Sequence, residues 1–218
     1  MAAMILAAGL GERLRPITDT TPKALVEVNG VSLLEQHLQR LADARVKTVV
    51  INLGWLGEQI AERIGSGQQF GLQVVYSPEY DNILDTGGGI KRALPLLDSA
   101  PFWVINADVY TDIALPNVKL DTGSLGYLVL VPTPAHKAGG DFELRDDKVR
   151  HSDHQDLTYS GIAIYRPEFF ADAGSGRFSV VPLLRAAADR GQLDGSVYEG
   201  IWEDVSTPER LAALNANK

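Results

Sequence analysis

The sequence predicts a single α/β domain over residues 1–218, three layers thick, around a mostly parallel mixed sheet. Three observations predict it. Apolar runs rich in β-branched residues alternate with segments of helical periodicity, the pattern of β-α units. A glycine-rich turn follows the first apolar run, where ligands bind at the edge of such sheets. The 218 residues are 45% hydrophobic and 22% charged, with no low-complexity linker to divide them. A chain of this size buries about 70% of its unfolded surface in one domain.

The elements follow in order. Ala3–Ala7 reads as the first strand, and Gly9 to Pro22 as a loop rich in Gly, Pro and Thr. Ser32 with Glu35 three residues later forms a capping box, and Leu34, Leu38 and Leu41 give the next helix one apolar face as far as Ala44. Thr48–Asn52 is a strand, and Trp55–Ile64 a helix stopped by Gly65-Ser66-Gly67. Leu72–Tyr76 is a third strand. Gly87-Gly88-Gly89 opens a short helix ending near Pro95, and Phe102–Asn106 is a fourth strand. Leu125–Val131, Phe142–Leu144, Lys148–His151 and Tyr159–Tyr165 follow with short turns, which predicts some antiparallel pairing. Val180–Arg190 and Thr207–Asn215 read as helices, the last capped by Ser206 or Thr207.

Composition excludes several function classes. There is no cysteine, which removes disulfides, thiolate metal sites and cysteine nucleophiles. The formal net charge of -8 lacks the basic footprint of a nucleic-acid binder. No apolar run has the length of a membrane span, and the apolar N-terminus has no basic flank. A cytoplasmic chain is expected, with neither membrane nor nucleic-acid contact and no protein partner implied.

The glycine loop, Gly9-Leu10-Gly11-Glu12-Arg13-Leu14-Arg15-Pro16, runs on to Pro22-Lys23. Glycines let the backbone approach an anion and point successive N–H groups at it. The dinucleotide fingerprint fails, because Leu14 stands where a third glycine belongs, and a Walker A motif is absent. What remains is a glycine turn with Arg13, Arg15 and Lys23 close by, which suits a polyphosphate. A solvent-exposed loop with scattered charges is the plainer alternative. Asp108, just past the fourth strand, reads as a magnesium ligand; Asp204 is either a second acid for that site or a turn residue.

The stretch Leu6 to Pro16 with Thr18 and Pro22-Lys23 resembles the signature of the sugar-phosphate nucleotidyltransferases, which make nucleoside diphosphate sugars. The resemblance extends through Val50-Ile51-Asn52, Leu84 to Gly88, Asn106-Ala107-Asp108, and Asp204 with Thr207-Pro208. It implies a Rossmann-like domain of the nucleotide-diphospho-sugar transferase type. It places Gly9, Gly11 and the backbone of Glu12 on a nucleoside triphosphate, Arg13 on the leaving pyrophosphate and Lys23 on the α-phosphate. Asp85, Thr86, Gly87 and Gly88 are expected around the base, and Asp108 and Asp204 on Mg2+. Asn106 is expected beside the phosphate of a sugar 1-phosphate, with Gly140, Asp141, Tyr159 and Ser160 near its sugar. Catalysis is assigned to Arg13, Lys23 and Asp108.

The compact length and the Thr158-Tyr159-Ser160-Gly161-Ile162 segment are similar to the branch that joins UTP to N-acetylmuramic acid 1-phosphate in bacterial cell-wall recycling. Guanylyl transfer to mannose 1-phosphate, nucleotidyl transfer to glucose 1-phosphate and a catalytically silent nucleotide- or sugar-binding protein are the alternatives. Three positions depart from the family pattern: Glu12 stands for the usual Thr or Ser, a Glu-Lys-Pro segment is missing between Val149 and Tyr159, and Ser206 replaces a glycine. Ser206 is strained if its φ is positive. The missing segment predicts room for a lactyl carboxylate, with Arg150, His151 or His154 as donors. His37 and His136 read as structural or solvent-facing, and Trp55, Trp103 and Trp202 as core or pocket-wall residues.

Overall fold

A computed structural model describes residues 1–80, 82–98 and 100–216. Its centre is a nine-stranded sheet. Strands β1 (Ala3–Leu6), β4 (Thr48–Leu53), β5 (Gln73–Pro78) and β6 (Phe102–Asn106) run parallel in the order β5-β4-β1-β6. The sheet continues with β11 (Leu157–Tyr165), β8 (Gly126–Pro132), β12 (Leu193–Val197), β10 (Lys148–Arg150) and β9 (Glu143–Arg145). Only β11 and β10 run against the rest.

Strand alternation builds two cores, one on each face. Ile5, Ile51, Ile105, Val129 and Ile162 point to one side, where α1 (Leu33–Asp43) and α2 (Gly57–Ile64) cover them with Leu34, Leu38, Leu41 and Ile60. Met4, Val50, Val104, Leu128 and Ala163 point to the other, under Ile90 of α3 (Asp85–Ala93) and Leu184 of α4 (Val181–Asp189). The capping box of α1 forms as expected: Ser32 Oγ accepts from Glu35 N at 3.2 Å while the Glu35 carboxylate reaches back to Ser32.

Five strand segments escape the sequence reading. Residues Glu27–Val28 (β2) and Val31–Ser32 (β3) form a hairpin. Its turn is Asn29-Gly30, with φ of 56° and 81°, the geometry that Asn-Gly favours in two-residue hairpins. Residues Val109–Thr111 (β7) pair with Trp202–Asp204 (β13) in a separate antiparallel ribbon, and β12 lies inside the main sheet. The terminal helix α5 (Pro208–Ala216) carries Leu211 and Leu214 against Val28, Leu33 and Val205. Thr207 caps it, receiving Arg210 N at 3.4 Å. Gly87-Gly88-Gly89 lies inside α3 and does not open it.

Candidate active site

A cavity of about 530 Å³ opens at the carboxyl ends of β1, β4, β5 and β6. Its first wall is the chain from Leu6 to Arg13 with Lys23. Gly11 sits at φ +64°, and a Cβ there would lie 2.8 Å from Thr18 Cγ2. Thr18 Oγ1 donates to Gly11 O at 2.8 Å, and Leu14 N donates to the same oxygen at 2.9 Å. Leu14 is fully buried, so the position that breaks the dinucleotide fingerprint is a core anchor for the loop. Arg13 faces the cavity, whereas Arg15 pairs with Asp19 at 3.2 Å on the surface.

Asn106, Ala107 and Asp108 form the second wall, with Ser206 beside them. Asp108 Oδ2 lies 2.5 Å from Lys23 Nζ. Its carbonyl accepts from Val205 N at 2.8 Å, and Asp204 sits opposite Val109 in the ribbon of β7 and β13. The ribbon therefore brings two acids separated by nearly the length of the second half to one place. Asp204 is turned out of the cavity lining: Arg210 pairs with its carboxylate, donates to Ser206 Oγ at 2.8 Å and lies 3.5 Å from Glu203 Oε1. Ser206 is absent from the positive-φ residues, so serine is accommodated there without strain.

Asp108 fits a hard divalent cation: its carboxylate lines the cavity and already holds a positive group, Lys23. The Asp204 carboxylate, outside the lining, is held by Arg210 and joins Asp108 only when that pair opens. Among the described residues no three His, Cys, Asp or Glu side chains gather to hold a metal alone. Magnesium suits such a set, since it binds one or two carboxylates together with substrate phosphates.

The third wall joins Ile83, Asp85 and Thr86 to Arg177. Gly87 and Gly88, expected around the base, follow in α3. Both are buried outside the lining, and a Cβ on Gly87 would lie 2.4 Å from the Phe178 ring, one on Gly88 2.2 Å from Gly176 O. Phe178 is bonded to Leu84 O and Gly88 N at 3.1 and 3.0 Å, and Thr86 Oγ1 accepts from Val180 N at 2.9 Å. The glycines let residues 176–178 lie flat on α3, and that contact delivers Arg177 to the cavity. The sequence reading missed Arg177; its signal was the two glycines just ahead of it, Gly174 and Gly176, shortly before a helix.

The expected sugar residues are bonded among themselves and to neighbouring strands. Gly140, Asp141, Tyr159 and Ser160 do not line the cavity. Gly140 N donates to Gln155 O at 3.0 Å, and Asp141 Oδ2 accepts from Lys137 Nζ and Tyr159 N, both at 3.1 Å. The Tyr159 hydroxyl meets that of Tyr165 at 3.2 Å, and burial pushes its pKa up to about 12. Ser160 Oγ donates to Val129 O at 2.7 Å inside the fold. The reason is the bulge in β11 between Tyr159 and Ile162, which holds Gly161 at φ +81°. A Cβ on Gly161 would lie 2.7 Å from Asn106 Nδ2, so the missing side chain there leaves Asn106 its place.

The donors expected for a lactyl group lie elsewhere. His151 Nδ1 is 3.4 Å from Asp189 at the end of α4, Arg150 reaches towards Gly191, and His154 is exposed; none of the three lines the cavity. His37 is buried in α1, where it meets Arg40 Nη1 at 3.0 Å. Asn52 and Glu79, at the cavity floor, are further residues that drew no functional reading from the sequence.

The nucleotidyl transferase family model matches residues 2–122. An N-acetylmuramate alpha-1-phosphate uridylyltransferase of Neisseria meningitidis serogroup B is 44% identical to this chain, covering 99% of it and 97% of the relative. One of Caulobacter vibrioides is 36% identical, covering 98% and 95%. Among solved structures, the CTP:phosphocholine cytidylyltransferase of Streptococcus pneumoniae shares the fold, with a TM-score of 0.78 at 20% identity over 99% of this chain and 97% of that one.

Proposed function

The chain belongs to the nucleotidyl transferase family, and from that premise we propose that it transfers UMP from UTP to a sugar 1-phosphate, releasing pyrophosphate. The sugar is N-acetylmuramic acid, the cation is Mg2+, and the setting is cytoplasmic cell-wall recycling. The observation that carries this reading is identity along nearly the whole chain to the two uridylyltransferases. Presence of Arg13, Lys23, Asp108 and Asp204 together speaks against a silent binding protein.

The reaction joins two anions, so the barrier is repulsion and alignment. A sugar-phosphate oxygen attacks the α-phosphorus of UTP in line; the bond to the bridging oxygen breaks, and pyrophosphate leaves with its electron pair. The nucleophile is already charged, so no residue needs to remove a proton. Backbone N–H groups around Gly9, Gly11 and Glu12 receive the triphosphate, and Arg13 stabilises the departing pyrophosphate. Lys23 donates one of its three hydrogens to Asp108, which leaves two for the α-phosphate. Asp85 and Thr86 bound the base, and Asn106 lies beside the sugar phosphate. Asp108 and Asp204 would hold Mg2+, which neutralises phosphate charge when bound. The backbone of Gly87 and Gly88 completes the base site, and Gly140, Asp141, Tyr159 and Ser160 lie towards the sugar.

The substrate assignment is tested by kcat/KM with UTP for N-acetylmuramic acid 1-phosphate against N-acetylglucosamine 1-phosphate. A preference of at least about tenfold for the first is expected, about 1.4 kcal/mol in transition-state binding. A ratio near one, or a preference for glucose or mannose 1-phosphate, returns the chain to the wider family.

A further inference from the structure

The cavity floor holds a carboxylate that the proposed reaction does not use. Glu79, just after β5, is 1% exposed, and both of its oxygens are engaged. Oε1 accepts from Asn52 Nδ2 and Oε2 from Leu84 N, each at 2.9 Å. Asn52, in β4, in turn accepts from Ala7 N through Oδ1 at 2.6 Å. One hydrogen-bonded chain thus runs from Ala7, at the root of the glycine loop, to Leu84, which directly precedes Asp85 and Thr86. Helix α3 leaves room for it: a Cβ on Gly89 would lie 2.7 Å from Glu79 Oε1 and 2.9 Å from Asn52 Nδ2.

The polarity of this chain is forced. Ala7 N can only donate, so Asn52 turns its carbonyl oxygen to it and its amide to Glu79. Leu84 N also only donates. Glu79 must accept on both oxygens, which a carboxylate does and a glutamine does not. A buried carboxyl group is costly unless its oxygens are hydrogen-bonded, so an acid placed here with a donor on each oxygen points to a demand for geometry.

We infer that Glu79 and Asn52 are a positioning pair: they fix the spacing between the loop that takes the triphosphate and the turn that bounds the base. The inference rests on the reading that this cavity takes a nucleoside triphosphate. Its consequence is selective. Loss of the pair falls on the nucleotide, not on the sugar 1-phosphate, which is held from the wall of Asn106.

The test exchanges the two polarities. Glu79→Gln leaves an amide facing a donor, and Asn52→Asp sets two carboxylates against each other. In the double variant N52D/E79Q the new carboxylate accepts from Ala7 N and from the new amide, whose oxygen accepts from Leu84 N; every partner is restored. Each single substitution is expected to raise the KM for UTP about tenfold while leaving that for the sugar 1-phosphate within about twofold, and the double to return within about threefold of wild type. Gly89→Ala, which presses a methyl group on the pair, serves as the further variant if a single substitution does not fold, with the same rise in KM for UTP expected. Equal losses on both substrates, no loss at all, or a double variant no better than the worse single overturn the inference. Calorimetric binding of UTP separates it from its premise. A wild-type protein that binds no triphosphate overturns the nucleotide reading; wild type and single variants that bind UTP equally well overturn the positioning role.

Discussion

Lys23 Nζ stands 2.5 Å from Asp108 Oδ2, with 15% and 31% of the two side chains exposed. The cation assigned to the α-phosphate and an acid assigned to the metal are therefore one unit, joined across the mouth of β1 and β6. Either partner alone leaves the other as an uncompensated charge beside the phosphate path.

That coupling predicts non-additivity. Lys23→Ala and Asp108→Asn are each expected to lower kcat at least about 100-fold, as for loss of a charge-stabilising group, and the double variant to be little worse than the weaker single. Steady-state rates at saturating magnesium check this. Effects that multiply would show two independent roles.

The two loop arginines differ in what they face. Arg13 lines the cavity and Arg15 is paired with Asp19. Arg13→Ala is expected to reduce kcat/KM for UTP about tenfold or more, as for loss of a charged hydrogen bond, and Arg15→Ala less than about twofold. Equal losses in the same assay would contradict the loop geometry.

Gly161 carries a structural prediction. At φ +81° an alanine is strained, and its methyl would press on Asn106. Gly161→Ala is expected to cost about 2 kcal/mol or more in urea unfolding, combining backbone strain with steric crowding. Activity is expected to fall further, because Asn106 faces the cavity. Wild-type stability in this variant would remove the explanation given for the bulge.

His37 sets a pH dependence. Burial, then the charge of Arg40, pushes its pKa from 6.5 down to about 3. The unfolded chain takes up this proton first, so between about pH 6.5 and 3 it binds more protons than the native state, and stability falls as pH falls. Between pH 7 and pH 5 wild type is expected to lose about 2 kcal/mol more than His37→Gln, read from denaturant midpoints at the two pH values. Parallel losses in both proteins would contradict a neutral, buried imidazole.

The fold was legible wherever one pattern dominated. Continuous apolar runs at Ala3–Ala7, Thr48–Asn52 and Phe102–Asn106 marked the central strands, and Ser32 with Glu35 marked the helix start, because both signals are local. The ribbon of β7 and β13 was not legible, since three-residue strands carry no period and pair across the length of the chain. The β2–β3 hairpin did leave a signal, Val28-Asn29-Gly30-Val31, that the pull of the glycine loop before it obscured. In the site, Arg13, Lys23, Asp108 and Asn106 stood out by charge or motif. Arg177 and Glu79 did not, because their places depend on Phe178 packing on Gly87 and on the amide of Asn52, contacts set by tertiary structure.

The measurement that reaches the central claim most directly is product analysis by phosphorus NMR, with UTP, N-acetylmuramic acid 1-phosphate and magnesium added singly and together. A uridylyltransferase gives pyrophosphate and a new UDP-sugar diphosphate signal in equal amounts, only when both substrates are present. Pyrophosphate or phosphate formed from UTP without the sugar 1-phosphate, or no diphosphate signal with any pairing of nucleoside triphosphate and sugar 1-phosphate, would contradict it.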